Sequence, residues 1–330
     1  MILKRRMRLT EILNTESNSG VKKFEKREYD IKHLSTKNRG IAYILKTFFD
    51  WVMEKIIFLS GYITIVIVLL IMGFLIKNSI PVFMKYPLKM LFFSPDWYPL
   101  SDIFGMLPLI LGSLLVTIGA LIIAVPLGIA AAVYIGEIAP QKIKDILKPT
   151  IEVLAAIPSV VIGFLGLTLL APFLQNLLNL PTGLTALTGS IMLAFMAMPT
   201  IISISEDAIA AVPNSYREAS LGLGATNWQT IVKVIVPAAK SGILAAVMLG
   251  VGRAIGETMT VLMVTGNSAV IPHTFLQPVR TLTATIAAEM GETPQGSDHY
   301  FALFAVGVVL FVMTFIINLV ADLALQRNKR

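Results

Sequence analysis

Cysteine is absent from the 330 residues, which excludes disulfides, thiol chemistry and cysteine-ligated metal sites. The three histidines, His33, His273 and His299, lie too far apart in sequence to suggest a ligand cluster, so each is read as a surface residue and no metal is expected. Charge is scarce as well. Only 14% of residues are Asp, Glu, Lys or Arg, against 55% hydrophobic, and the mean hydropathy is +0.77. Soluble domains carry about 25% charged residues, so this composition is not that of a water-soluble globule. A cleavable leader is not expected: the first 50 residues are polar, and the first apolar run begins near Ile56 without a small-residue cleavage site. A nucleotide-binding loop is missing too, since Gly291 to Ser297 approaches the spacing but lacks the lysine. Energy for any active process must come from another subunit or from an ion gradient.

What is present is a series of long apolar runs. They predict membrane helices near 56–76, 107–136, 150–173, 183–211, 241–265 and 301–325, within a transmembrane domain spanning 51–330. About 20 apolar residues cross the hydrocarbon core, so the longer runs are expected to tilt or kink. Pro126, Pro158 and Pro199 fall inside the second, third and fourth runs, and each removes a backbone donor. Such breaks are tolerated where neighbours or a wet cavity satisfy the freed groups, so static kinks and path-lining helices both fit. Phe92, Phe93 and Trp97 read as an interfacial aromatic belt, and Thr281 to Met290 as a short helix closed by Gly291.

Positive charge is unevenly placed. With six spans, 22 of the 27 Lys and Arg residues fall on one side and 4 on the other, with Arg253 inside the fifth span. The basic side is cytoplasmic by the positive-inside rule, so both termini are expected there. The net charge of +7 follows from this asymmetry and implies no nucleic-acid partner. The polar, basic segment 1–50 is read as disordered or as lying along anionic lipid headgroups.

Two features carry chemistry. In the fifth span, Arg253 and Glu257 stand four apart, neighbours on one face of a continuous helix. Each costs roughly 2.5–3.5 kcal/mol at a helix centre in membrane-insertion scales, so both need partners or water. One reading is a self-satisfied ion pair that locks helices together. The other places Arg253 on a polar passage, where its planar donors suit an oxyanion and Glu257 moderates the attraction. Gly252 and Gly256 would let another helix approach closely. Glu206 and Asp207, ending the fourth span, read as interfacial residues or partners of the loop that follows, and Asn318 and Asp322 as interfacial capping or helix packing.

That loop, 212–237, is the second feature. Ser215 to Glu218 and Thr226 to Gln229 each have capping-box spacing, Gly222 and Gly224 supply a turn, and Pro237 stops the second helix. Two capped helices at a tight turn form a rigid knob on the membrane surface.

The knob resembles the coupling loop of ABC-importer permeases, with Glu218, Ala219, Ser220, Gly224, Val234, Val236 and Pro237 at the pattern positions. It departs from that pattern by Ser for the second Ala and by Val at both aliphatic positions. Gly252 to Met259, followed by Met263 to Asn267, is similar to the C-type permease of the phosphate-specific ABC importer, the PstC family. Phe104 to Leu109, Ala155 to Val161, Arg280 to Thr283 and Ala288 to Glu292 share that similarity, which covers about residues 56–325. The resemblance implies an all-α membrane protein with the six-transmembrane-helix type I ABC importer permease fold and a cytoplasmic coupling helix. It assigns Glu218, Ala219, Ser220, Gly222, Gly224 and Pro237 to ATPase coupling, and Arg253, Glu257 and Thr258 to the substrate path. It implies a prokaryotic plasma-membrane location and four kinds of company: an A-type sister permease, two ATPase copies, an external phosphate-binding protein and membrane lipid. The chain itself would catalyse no covalent reaction and hold no cofactor, ATP and Mg being bound by the ATPase. A permease for sulfate, molybdate or phosphonate is the alternative, because one arginine does not tell tetrahedral anions apart. A gradient-driven carrier or channel, or a membrane scaffold, stands further off, since neither has an obvious use for the knob.

Overall fold

The structure is a computed structural model and describes residues 46–327, without the side chains of 321 and 324–327. Most of the polar N-terminal segment, with His33, lies outside the described residues. The chain divides into two compact units, 1–71 and 72–330. In the first, residues 46–71 belong to helix α1, which runs Lys46–Lys85, and this stretch of it is almost wholly exposed and largely apolar. Forty residues make a helix of about 60 Å, twice the hydrocarbon thickness. The helix therefore continues well beyond the 56–76 apolar run, because propensity does not end where hydrophobicity does.

In the second unit, α1 is followed by α2 (Leu88–Phe93) and a two-stranded antiparallel hairpin, β1 (Trp97–Tyr98) and β2 (Ile103–Phe104). Then come α3 (Leu107–Val133), prolonged by a π-helical turn over Tyr134–Ile138, and α4 (Gln141–Ala156). α5 (Ser159–Leu165) passes through a second π-turn, Gly166–Leu170, into α6 (Ala171–Leu178), and α7 (Ala186–Ala210) follows. The loop region holds α8 (Asn214–Gly222), α9 (Asn227–Thr230), a π-turn at Ile231–Ile235 and α10 (Val236–Ala238). The chain ends with α11 (Lys240–Gly256), α12 (Met259–Val264), α13 (Leu282–Glu289) and α14 (Asp298–Arg327). Among the described residues five helices are long and apolar enough to cross a membrane, and the pair 227–238 and 240–256, bent by 68°, makes a sixth. This is the architecture of a helical membrane protein.

α7 is the central helix. It runs parallel to α3, because Gly119 and Gly128 of α3 and Gly136 of its π-turn lie in turn against Ser190, Ile201 and Ile209. A Cβ at Gly119 would sit 2.4 Å from Ser190 Oγ, so the missing side chain is what allows this approach. α11 runs antiparallel across the same helix, with Gly242 against Ala208 and Gly250 against Ile201. One apolar cluster (Leu91, Trp97, Phe104, Leu109, Leu282, Leu303) fills the hairpin end, and another (Ile135, Ile209, Val212, Ile235, Ile243) fills the end that carries α8.

Several local expectations change here. Pro126 and Pro199 sit inside unbroken helices, whereas Pro158, with ψ 137, separates α4 from α5. The third run, expected at 150–173, is thus divided between the end of α4 and the helix that follows. Trp97 does not belong to an interfacial belt: it is 2% exposed, and its indole N–H donates to the Glu289 carboxylate at 3.1 Å. Alternation along β1 turns it inward against Phe104. His299 is also not a simple surface residue, since its Nε2 meets Glu289 at 2.8 Å and its ring stacks on Phe104. Gly291, next to α13, does not take the left-handed conformation of a helix-closing glycine.

Candidate functional site

Two helices break side by side. Ile157, at the end of α4, takes ψ 128, as a residue before proline is driven to do, and Pro158 opens α5 in extended geometry. Glu257 takes ψ 132 and ends α11 without any proline. Here the side chain makes the break tolerable, because Glu257 Oε1 accepts the backbone N–H of Thr260 at 3.2 Å at the start of α12. The Glu257 carbonyl accepts Thr283 Oγ1 from α13 at 2.9 Å. The hydroxyl of Thr260 donates to Ser159 O at 2.9 Å and so joins the two breaks.

Arg253 lies one helical turn before this point. Its Nη1 donates to Thr200 Oγ1 of α7 at 3.2 Å, and its Nη2 to Ala155 O at the end of α4 at 3.4 Å. The expected Arg253–Glu257 neighbours on one continuous face are not formed. The chain leaves the helix at Glu257, the carboxylate turns to cap α12, and among the described residues no carboxylate lies within ion-pair distance of Arg253. A guanidinium has five N–H donors, so the group is half-buried, charged and only partly engaged. Thr258 faces elsewhere. Together with Gly256, Thr283, Ile286, Gly307 and Phe311 it lines a cavity of about 430 Å³ between the end of α11, α13 and α14, and Arg253 is not part of that wall. Arg253, Glu257 and Thr258 therefore meet at one helix break but not in one pocket. A Cβ at Gly252 or Gly256 would touch nothing within 4 Å, so among the described residues no helix packs closely on that small-residue face.

The loop 212–237 forms a two-helix knob by a slightly different route from the one its sequence predicts. α8 opens after Pro213 with no side-chain cap, so the Ser215–Glu218 box is not made; proline starts the helix one residue before Ser215. The Thr226–Gln229 box forms in both directions, at 3.2 and 3.0 Å. Gly224 alone takes positive φ, +85°, while Gly222 remains helical in α8. Pro237 lies in α10, just before the chain bends into α11. Ser220 and Thr230 share a 3.0 Å hydroxyl contact that ties α8 to the end of α9. Glu218, Tyr216, Leu221, Trp228 and Leu223, the last 90% exposed, point outward.

Sequence reading missed the polar ties beneath the knob. Arg217 pairs with Glu137, whose hydrogen bond holds the guanidinium above its ordinary pKa against the opposing effect of burial. The faint signal was that Glu137 is the sole acid between 107 and 138. Glu206 and Asp207 both pair with Lys148 of α4, at 2.6 and 3.3 Å, and not with the knob. Lys148 is raised from its usual pKa chiefly by the Glu206 hydrogen bond. Among the described residues no cluster of His, Asp or Glu has the makings of a metal site.

Comparison with known proteins agrees with this architecture. The family described as binding-protein-dependent transport system inner membrane component matches residues 124–330. A probable ABC transporter permease, YqgH of Bacillus subtilis, is 47% identical over 72% of this chain and 77% of its own. The phosphate transport system permease PstC of Mesorhizobium japonicum is 37% identical over 71% and 77%. Among solved structures, a bacterial ABC transporter that imports the polysaccharide alginate aligns over 84% of this chain and 98% of its own, with TM-score 0.55 and 17% identity, a likeness of fold alone. The chain is therefore a multi-pass permease subunit of an ABC transporter, and it belongs to the family of binding-protein-dependent transport system inner membrane components, alongside the PstC permeases.

Proposed function

We propose that this chain is the C-type permease of an ATP-driven importer of inorganic phosphate. The observation that carries the reading is the 32–37% identity, over about 71% of the chain, to several permeases named for phosphate transport. The site supports it: a charged guanidinium with unused donors stands at two paired helix breaks, where unwound backbone and hydroxyls line the bundle interior. Membrane carriers bind substrates at such interrupted helices near the bilayer midplane. Arg253 would contact the anion in passage. Glu257 and Thr258 would shape the break, Glu257 by capping α12 and not by pairing with Arg253. The path would be completed by an A-type sister permease. Two ATPase copies, which bind the ATP and Mg, would grip the exposed knob at Glu218, Ala219 and Ser220, and a phosphate-binding protein would deliver substrate from outside. A permease for sulfate or another oxyanion remains the second reading, because the guanidinium recognises the class and not the member.

Uptake into vesicles reconstituted with the sister permease and ATPase tests this. Labelled phosphate should accumulate only when ATP and the binding protein are both supplied, and sulfate should not compete. Sulfate uptake with no phosphate uptake would overturn the assignment in favour of the second reading.

Both termini and the knob would face the cytoplasm, a reading the charge asymmetry supports, and the likeness to PstC permeases supports a prokaryotic plasma membrane. Single cysteines introduced at Ser215 and Ser297 should then react with an impermeant thiol reagent from opposite sides of the membrane. Labelling of both from the same side would rule out this orientation.

A further inference from the structure

We propose that the Arg217–Glu137 ion pair is the strut that passes movement of α8 to the ends of α3 and α7, so that breaking it uncouples ATP hydrolysis from transport. The inference rests on the reading of α8 as the element an ATPase grips. Nε and Nη2 of Arg217 fork onto the two oxygens of Glu137, at 3.2 and 2.5 Å. The same guanidinium donates through Nη1 to Val212 O at 2.7 Å and through Nη2 to Ile209 O at 3.3 Å. Ile209 lies in the last turn of α7 and Val212 just beyond its end, where a cation complements the helix dipole. One side chain of α8 thus holds the ends of two spans.

The geometry suits a contact that transmits force. The side chain of Glu137 is 10% exposed and that of Arg217 22%, so neither is the loose surface pair that contributes little. A planar fork on a carboxylate resists rotation as well as separation, unlike the point charge of a lysine. Glu137 lies in the π-turn of α3, where the Ala139 N–H bonds back to Tyr134 O at 2.8 Å, one residue further than in an α-helix. The extra residue turns this end of α3 by about 100° relative to a continuing α-helix. Beneath the pair, Ile135, Ile209 and Ile235 pack as an apolar layer. The neighbours of Arg217 in α8, Tyr216 and Glu218, are exposed, so a partner holding them moves the strut with them. Among the described residues, Arg217 to Glu137 is the polar contact between α8 and α3.

The test uses the reconstituted complex and reads phosphate imported per ATP hydrolysed. Glu137→Gln leaves the Arg217 contacts to Ile209 O and Val212 O in place and weakens only the link to α3. Assembly and hydrolysis should persist while the ratio falls about tenfold, the scale of losing one charge-assisted hydrogen bond. Arg217→Lys, keeping charge without the fork, should give an intermediate ratio, and it also reads the proposal should Glu137→Gln not assemble. A pair that only stabilised the fold would lower the amount of complex while leaving the ratio per complex unchanged, and that result overturns the strut. Failure of the underlying functional reading shows elsewhere, in a wild-type complex that hydrolyses ATP without importing phosphate.

Discussion

Arg253→Gln should lower ATP-driven phosphate uptake by roughly a hundredfold while membrane insertion and complex assembly are retained. Gln keeps one donor group but loses the charge and the fork, and charge-assisted hydrogen bonds contribute about 1.5–3 kcal/mol each. The Thr200 and Ala155 contacts at 3.2 and 3.4 Å are long and are not an ion pair, so removing the guanidinium strands no buried carboxylate. The bundle should therefore survive the change, which a locked Arg–Glu pair would not allow. Arg253→Lys should recover little. Glu257→Gln separates the two readings of this segment. If the carboxylate acts by capping α12, the amide oxygen of Gln still accepts the Thr260 N–H, and uptake should stay within about twofold of wild type. If Glu257 instead neutralised Arg253, its loss would leave a buried charge and impair assembly. Uptake assays paired with co-purification of the sister subunit decide this, and wild-type uptake by Arg253→Gln would remove Arg253 from the path.

The largest structural effect is expected at Gly183, in the turn between α6 and α7. A Cβ there would stand 1.9 Å from the carbonyl oxygen of Ala171 and 2.4 Å from its carbon. Both are backbone atoms, so no side-chain rotation relieves the clash. The Gly183 carbonyl also accepts Thr188 Oγ1 at 2.6 Å, which fixes the turn against α7 from its other side. Gly183→Ala should thus cost more than the roughly 1–3 kcal/mol of ordinary overpacking, and the detergent-solubilised protein should be aggregated or absent. Gly73→Ala, where an added Cβ would meet nothing within 4 Å, is the matched control and should behave as wild type. Size-exclusion profiles of the two variants side by side check the prediction; a monodisperse Gly183→Ala protein with wild-type melting would contradict it.

Local signals in the sequence were reliable where their physics is local. Long apolar runs pointed to most of the long helices, since a segment in lipid must satisfy its own backbone. Thr226 and Gln229 form their reciprocal cap within three residues, and Pro158 breaks its helix because it removes a donor and constrains Ile157. The same rules misled where a nearer or larger influence prevailed. Pro213 opened α8 and left Ser215 without a capping role, and Pro126 and Pro199 were absorbed by continuous helices.

By itself the sequence determined the membrane class, the knob, where most of the long apolar helices lie and the presence of a charged residue at Arg253 within one of them. Only the tertiary structure decided what those residues face. Nothing within a few residues of Glu257 dictates a helix break; it is sustained by Thr283 and by the Thr260–Ser159 bond, whose partners are 26 and 101 residues apart. Arg217 and Glu137 are 80 residues apart, and Trp97 reaches Glu289 across 192. Capping, periodicity and proline geometry act over one or two turns, whereas the partner of a buried charge is set by which helices pack together, and that packing depends on the whole chain at once.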